Sequence, residues 1–384
     1  MTISFWEFLS RLTVNPALRV TVLLILGVIL VNGWTDAPNA IASLVATGGM
    51  KLKAAVRMAA VFNFAGLFIM TAFNAKVAFT IYSMVDFGGN PAKALTALCA
   101  ALTAIIVWSA AAWSFGIPTS ESHALIAGIS GAAIALHHGT AGINRQEWIK
   151  VLYGLFFSTA AGFGLGWLFS KIMVKRPDAG RQKNQVKQPD SGGQKNQVKW
   201  PDNGRQKNQV KRKRRAERQE ENVNRAQKAG AAAMAFMHGA QDGQKFMGVF
   251  LLGIFLAEGK MPEGSFRVPF WMMALCSIVM AAGTSIGGER IIKTVGTDMV
   301  ALKKPQGIAA DAAGAVSLFL SSLTGIPVST THVKTTAIMG AGMAQELSSV
   351  NMVIVKEMLL AWIITFPCCG MIGYLAAAVF MAVI

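Results

Sequence analysis

Long apolar runs separated by short polar breaks dominate the chain. They fall at about 18–47, 54–84, 94–115, 119–137 and 147–171, and again at about 229–257, 268–284, 306–324, 328–344 and 351–383. Several exceed 18 residues, the length that marks a membrane-crossing helix rather than a buried core helix. The pattern predicts an all-α polytopic membrane protein in the cell membrane. The last run is too long for one crossing, and Pro367 marks an expected kink. Met1 to Asn15 is mixed in character and reads as an interfacial helix. No small-residue cleavage pattern follows the first apolar run, so no signal peptide is expected.

Composition agrees: 53% of the 384 residues are hydrophobic, only 14% are charged, and the mean hydropathy is +0.46. The net charge of +17 is unevenly spread. Residues 175–228 hold 17 Lys/Arg against 6 Asp/Glu, a net of +11, which leaves +6 for the rest. A basic loop between membrane halves stays in the cytoplasm and can rest on anionic lipid. That accounts for the charge without a nucleic-acid partner. Within the loop QKNQVK recurs at Gln182, Gln194 and Gln206 with no apolar face, which predicts disorder. The stretch Lys211 to Lys228 reads as an exposed helix leading into the second half. Cys99, Cys276, Cys368 and Cys369 lie in apolar runs without a CxxC pair and read as small core residues.

The runs repeat. NGWTDAPNA, from Asn32, and HGAQDGQKF, from His238, align Gly33 with Gly239, Asp36 with Asp242 and Asn39 with Lys245. FGIPTSESHALIAG, from Phe115, and TGIPVSTTHVKTTA, from Thr324, share Gly-Ile-Pro-x-Ser-x-[Ser/Thr]-His. The copies lie 206 residues apart for the first motif (Asp36 to Asp242) and 209 for the second (Ser120 to Ser329). Two motifs in one order at nearly one offset describe a duplicated chain. The expected domains are an N-terminal transmembrane repeat, 1–174, the basic loop, 175–228, and a C-terminal repeat, 229–384.

A carboxylate at mid-membrane costs roughly 2.5–3.5 kcal/mol, so two at matched places need compensation. Glycine and proline around each Asp predict a broken helix, whose freed carbonyls hold cations and whose N–H groups hold anions. Pro118 and Pro327, followed by hydroxyl residues, mark helix starts where hydroxyls and N–H groups form an anion site. Plain helix capping is the simpler reading of each Ser/Thr cluster alone. His123 and His332 are expected to orient nearby hydroxyls or backbone. Lys245 either neutralises Asp242 or faces the anion. Glu289, Arg290 and Lys293, with Lys76 as a counterpart, read as interface anchors. Paired Asp residues also suggest an intramembrane protease, but each sits in a duplicated, ion-site context, so no enzyme is expected.

These residues resemble a known family. GWTDAPNAIA and HGAQDGQKFMG are similar to the two signature copies of the inorganic phosphate transporter (PiT) family. IPTSESHALIAG, IPVSTTHVKTTAIMG and SIGGERIIKTVGTDMVALKKPQG are similar to its hairpins and second half. The resemblance implies two inverted repeats with broken helices and re-entrant hairpins, and symport of phosphate with sodium or protons by alternating access. On that basis Ser120, Ser122, Ser329, Thr330, Thr331, Asp36, Asp242, Lys245 and Gln241 are the expected substrate contacts. Asp36, Asn39, Asp242 and Thr35 are the expected sodium ligands. The carboxylates either ligate sodium or accept a hydrogen bond from the P–OH of phosphate, which sulfate lacks. A sulfate permease of the same architecture is the alternative, and a homodimer is left open. Three residues depart from the family pattern: Thr35 and Gln241 stand where Asn usually precedes the signature Asp, and Glu121 stands where the second hairpin has Thr330, so both changes touch expected ligand positions.

Overall fold

The computed structural model describes residues 3–88, 90–117, 119–174, 203–259, 267–286 and 288–383, without the side chains of 203–210. Pro118 and the first two QKNQVK copies lie outside the described residues. In chain order the helices are α1 (Phe5–Val14), α2 (Pro16–Thr35), α3 (Pro38–Ala46), α4 (Leu52–Phe73), α5 (Lys76–Tyr82), α6 (Pro91–Ser114), α7 (Glu121–His137) and α8 (Arg145–Met173). Then come α9 (Asn203–Glu258), α10 (Phe270–Ile286), α11 (Glu289–Lys293), α12 (Lys304–Thr324), α13 (Thr330–Met343) and α14 (Met352–Val383). Six helices are long and apolar enough to cross a membrane, or seven if α10 and the bent segment Glu289–Asp298 form one span. Large apolar side chains such as Leu23, Phe73, Phe156 and Ile363 point outward, while Asp36, Asp242, Lys245, Asp311 and Lys334 are buried. That polarity suits a lipid exterior and a polar interior.

Local chemistry sets the first break. Asn15 caps α2 through Leu18 N (3.0 Å), with Pro16 in its first turn. Pro38 has no N–H to continue the ladder, so α2 ends at Thr35 and α3 restarts at Pro38. The matching break expected around Asp242 does not occur. Helix α9 runs unbroken for 56 residues, roughly 84 Å at 1.5 Å per residue. No proline interrupts it, and glycine alone does not stop a helix packed on several sides. Its first part, including the Gln206 repeat copy, is helical where disorder was expected, and residues 211–222 project as an exposed helix. The 228/229 boundary therefore falls inside one helix. Helix α14 likewise passes through Pro367 as one 32-residue element rather than two.

The glycines of the signatures have another task. A Cβ on Gly33 would lie 2.4 Å from the Met280 carbonyl, and one on Gly283 would lie 2.2 Å from that of Leu30. Gly239 and Gly66 meet Asn63 O (2.2 Å) and Phe236 O (1.8 Å) in the same way. Gly131 and Gly373 bring α7 onto α14, and Gly340 and Gly166 bring α13 onto α8. Each close approach has a partner in the other half: α2 on α10 matches α9 on α4, and α7 on α14 matches α13 on α8. Even the isolated bridges Val85–Ile143 and Val300–Val350 correspond. The strong helix contacts thus pair across the duplication, and each hairpin helix packs on the last helix of the other half.

At the N-terminus, Phe8 stacks on Trp271 (4.4 Å between centroids), and Arg11 pairs with Glu258. Helix α1 is therefore held against α9 and α10.

Gly131→Val and Gly340→Val are expected to destabilise the protein comparably, by about 1–3 kcal/mol each, because the added side chain meets backbone. Thermal unfolding of the purified protein in detergent reads this out. An unchanged midpoint in either variant would contradict the backbone contact.

Candidate functional site

The α2–α3 break and the uncut middle of α9 bring Asp36 and Asp242 together, both essentially buried. The Thr330 hydroxyl lies between them, 3.3 Å from Asp36 Oδ2 and 2.9 Å from Asp242 Oδ2. Hairpin two thus delivers the first residue of α13 to both acids. Thr331, one residue on, donates to Asp36 Oδ1, which also accepts from Asn39 Nδ2 (2.8 Å). Asn39 sits in the first turn of α3, so the break places it against the acid three residues before it.

Lys245 reaches Asp242 Oδ1 (2.6 Å), Ser122 Oγ (2.6 Å) and Val328 O (2.5 Å). Its three donor hydrogens are thereby committed. The ion-pair reading of Lys245 holds in the geometry, and the pair also ties α9 to both hairpins. Ser120 and Ser329 are helix N-caps, each accepting from the N–H of the histidine three residues on (3.2 Å). The capping reading fits those two serines, and their hydroxyl protons remain for donation. Gln241 turns toward the hairpin-two backbone, donating to Ile326 O at 3.2 Å, rather than toward the acids. Thr35 donates to Glu121 Oε1. His123 meets the Trp362 backbone, within the expected role, and both histidines also pack against rings. The rings of His123 and His332 pack on each other at 4.3 Å, and His332 stacks on Trp362 at 3.7 Å. Their surroundings are mainly aromatic.

Several site residues were not identified from sequence. Asn32, one helical turn before Asp36, donates to Asp242 Oδ2 at 3.2 Å. His238 Nδ1 lies 3.2 Å from Asn63 Oδ1, and Asn63 Nδ2 donates to Thr284. This network places a proton on Nδ1, and Nε2 lies 3.3 Å from Asp242 Oδ2. Asp36, Asp242 and His238 each offer a ligand atom within 4.8 Å of the others. One turn along α13 lies a second buried cluster, where Lys334 pairs with Asp311 and Ser43 Oγ donates to Asp311 Oδ1 (2.5 Å). A charge inside each apolar run was the available signal for Asp311 and Lys334.

Acceptors outnumber donors here. Asn32 Oδ1, Asn39 Oδ1, Glu121 Oε2 and Gln241 Oε1 are buried and accept nothing from the described residues. A chamber rich in unpaired oxygens suits cations, and its hydroxyls suit an oxyanion.

The model of the phosphate transporter family matches residues 32–373. A Bacillus subtilis protein named "Probable low-affinity inorganic phosphate transporter" is 32% identical over 347 residues, 90% of this chain and 92% of its own. A protein of the same name from Rhizobium meliloti is 32% identical over 352 residues, 90% of each chain. A solved structure described as "The sodium-dependent phosphate transporter" shares the fold, with a TM-score of 0.78 and 20% identity over 96% of this chain and all of that one. None of these names concerns sulfate. The matched family consists of multi-pass membrane transporters and not enzymes. With a family model covering most of its length and relatives aligned nearly end to end, this chain belongs to the phosphate transporter family.

Proposed function

We propose that the chain takes up inorganic phosphate together with cations, at a site between Asp36, Asp242 and the two hairpin tips. The observation that carries this reading is the charge balance of the chamber. Asp36, Asp242 and Glu121 are three buried carboxylates, and Lys245 is the one buried ammonium beside them. When the acids are ionised the pocket carries two net negative charges before any anion arrives. Phosphate, itself a monoanion or dianion, is repelled unless cations come with it. Sodium on the unpaired oxygens, or protons on the carboxylates, provides that compensation. Thr330, Thr331, Ser122 and the α7 and α13 N-termini then face the phosphate oxygens. Asp36 or Asp242 accepts from a P–OH.

Packing supports the expected motion. Helices α2, α4, α9 and α10 form one group; α7 packs on α14 and α13 on α8, and these two pairs meet at the His123, His332 and Trp362 rings to form the second, with α6 and α12 touching both groups. The acids belong to the first group and the hydroxyls to the second. Sliding one group on the other opens the site without unfolding either. A cavity of about 850 Å³ meets Trp34, Lys53, Arg57 and Arg290, at the α4 end where Gln227 of α9 donates to Thr47. Trp34 directly precedes Thr35, so this cavity is the proposed route on the side of the basic helix.

The deciding experiment is labelled-phosphate uptake by the purified protein in liposomes, with sodium and pH gradients varied separately. Uptake is expected to follow at least one gradient. Asp36→Asn and Asp242→Asn should each abolish it while the protein still inserts, and normal uptake by both variants would remove their central role. Lys245→Met should cost about 3–5 kcal/mol of stability by stranding Asp242, whereas the double variant Asp242→Asn, Lys245→Met should recover much of the folded yield. Equal stability of the single variant and the parent would show that the pair is not buried as described.

A further inference from the structure

Two of the three residues that depart from the family pattern, Thr35 and Glu121, are 86 residues apart in sequence and one contact in space. Thr35 donates to Glu121 Oε1, and its oxygen also lies 2.9 Å from Val31 O. One hydroxyl proton serves two acceptors. Glu121 is 2% exposed, and its Oε2 accepts nothing from the described residues. Asn32, wholly buried, leaves Oδ1 equally unpaired.

Among the described residues no protein cation is paired with Glu121. Lys245 has spent its hydrogens on Asp242, Ser122 and Val328. The charged groups facing Glu121 from neighbouring elements are Asp36 at the α2–α3 break and Asp242 and Lys245 on α9. His238 is engaged with Asn63, and His123, on the same helix as Glu121, packs against His332 and Phe366. The hydrogen-bond donors at Glu121 are the Thr35 hydroxyl and the Asn32 amide, both neutral, and an ionised carboxylate buried among other acids without a paired ammonium calls for a hard cation. The mirror position in hairpin two is Thr330, which carries no charge and donates to the signature acids. The asymmetry between the two hairpin tips is therefore one full charge.

We propose that Glu121, Thr35 and Asn32, with the Val31 carbonyl, bind a sodium ion at a site the second repeat lacks. That ion adds one positive charge to those balancing Asp36 and Asp242. The inference rests on the cation-coupled reading above.

The test counts sodium directly. Equilibrium binding of radiolabelled sodium is measured on purified full-length protein in detergent, and phosphate uptake with charge movement is measured on the same preparations in liposomes. Glu121→Gln is expected to bind one sodium fewer per chain than the parent and to move one charge fewer per phosphate. Glu121→Thr, which copies hairpin two, should behave alike, while Glu121→Asp should keep the sodium count at an affinity weakened about tenfold. An unchanged sodium count in monodisperse Glu121→Gln overturns the site. So does parent protein that binds no sodium yet shows Glu121-dependent uptake driven by pH, for then the carboxyl carries a proton. If the parent moves no phosphate under any gradient, the transport reading falls, and the binding count still decides the site.

Discussion

Everything in this molecule is arranged around the difficulty of keeping carboxylates inside an apolar phase. Asp36 and Asp242 are tolerable because two hydroxyls, two amides and one ammonium converge on them. Lys245 has the widest reach of these, since it joins α9 to hairpin one through Ser122 and to hairpin two through Val328. Holding the charges thereby also holds the two hairpin tips in register. The oxygens that remain unpaired keep the chamber in deficit, and in the proposed function that deficit links an anion to cations.

The second constraint is closeness. Helices carrying a polar chamber have few bulky side chains to interlock near it, so contact comes from backbone meeting backbone at glycine. The signature glycines Gly33 and Gly239 serve this purpose, and their partners Gly283 and Gly66 answer from the other half. The repeat is therefore visible as packing. It also explains why α9 stays whole where α2 breaks: both halves need the small residue, but only the first has proline two residues after the acid.

Duplication does not make the halves equivalent. Asn39 faces Asp36 where Lys245 faces Asp242, and Glu121 stands opposite Thr330. One repeat carries the fixed ammonium and the other an extra carboxylate. In the proposed function, an asymmetric chamber built on a symmetric scaffold offers phosphate and its cations distinct seats without a new fold.

The sequence by itself determined the membrane class, the duplication, the two acids and the hydroxyl-bearing hairpins. Those follow from local properties: run length, residue type and spacing. It also predicted the α2–α3 break, because proline acts on its own backbone wherever it sits. Only the tertiary structure decided that α9 runs through Asp242, that Ser120 and Ser329 cap helices, that Asn32 and His238 join the site, and that Glu121, whose position the sequence had marked, meets Thr35 there. It alone showed that Asp311 and Lys334, 23 positions apart, neutralise each other beneath it. The reason is physical. A charge in an apolar run announces that a partner is required, but which partner satisfies it depends on how close the helices pack, and that is set by contacts hundreds of residues apart.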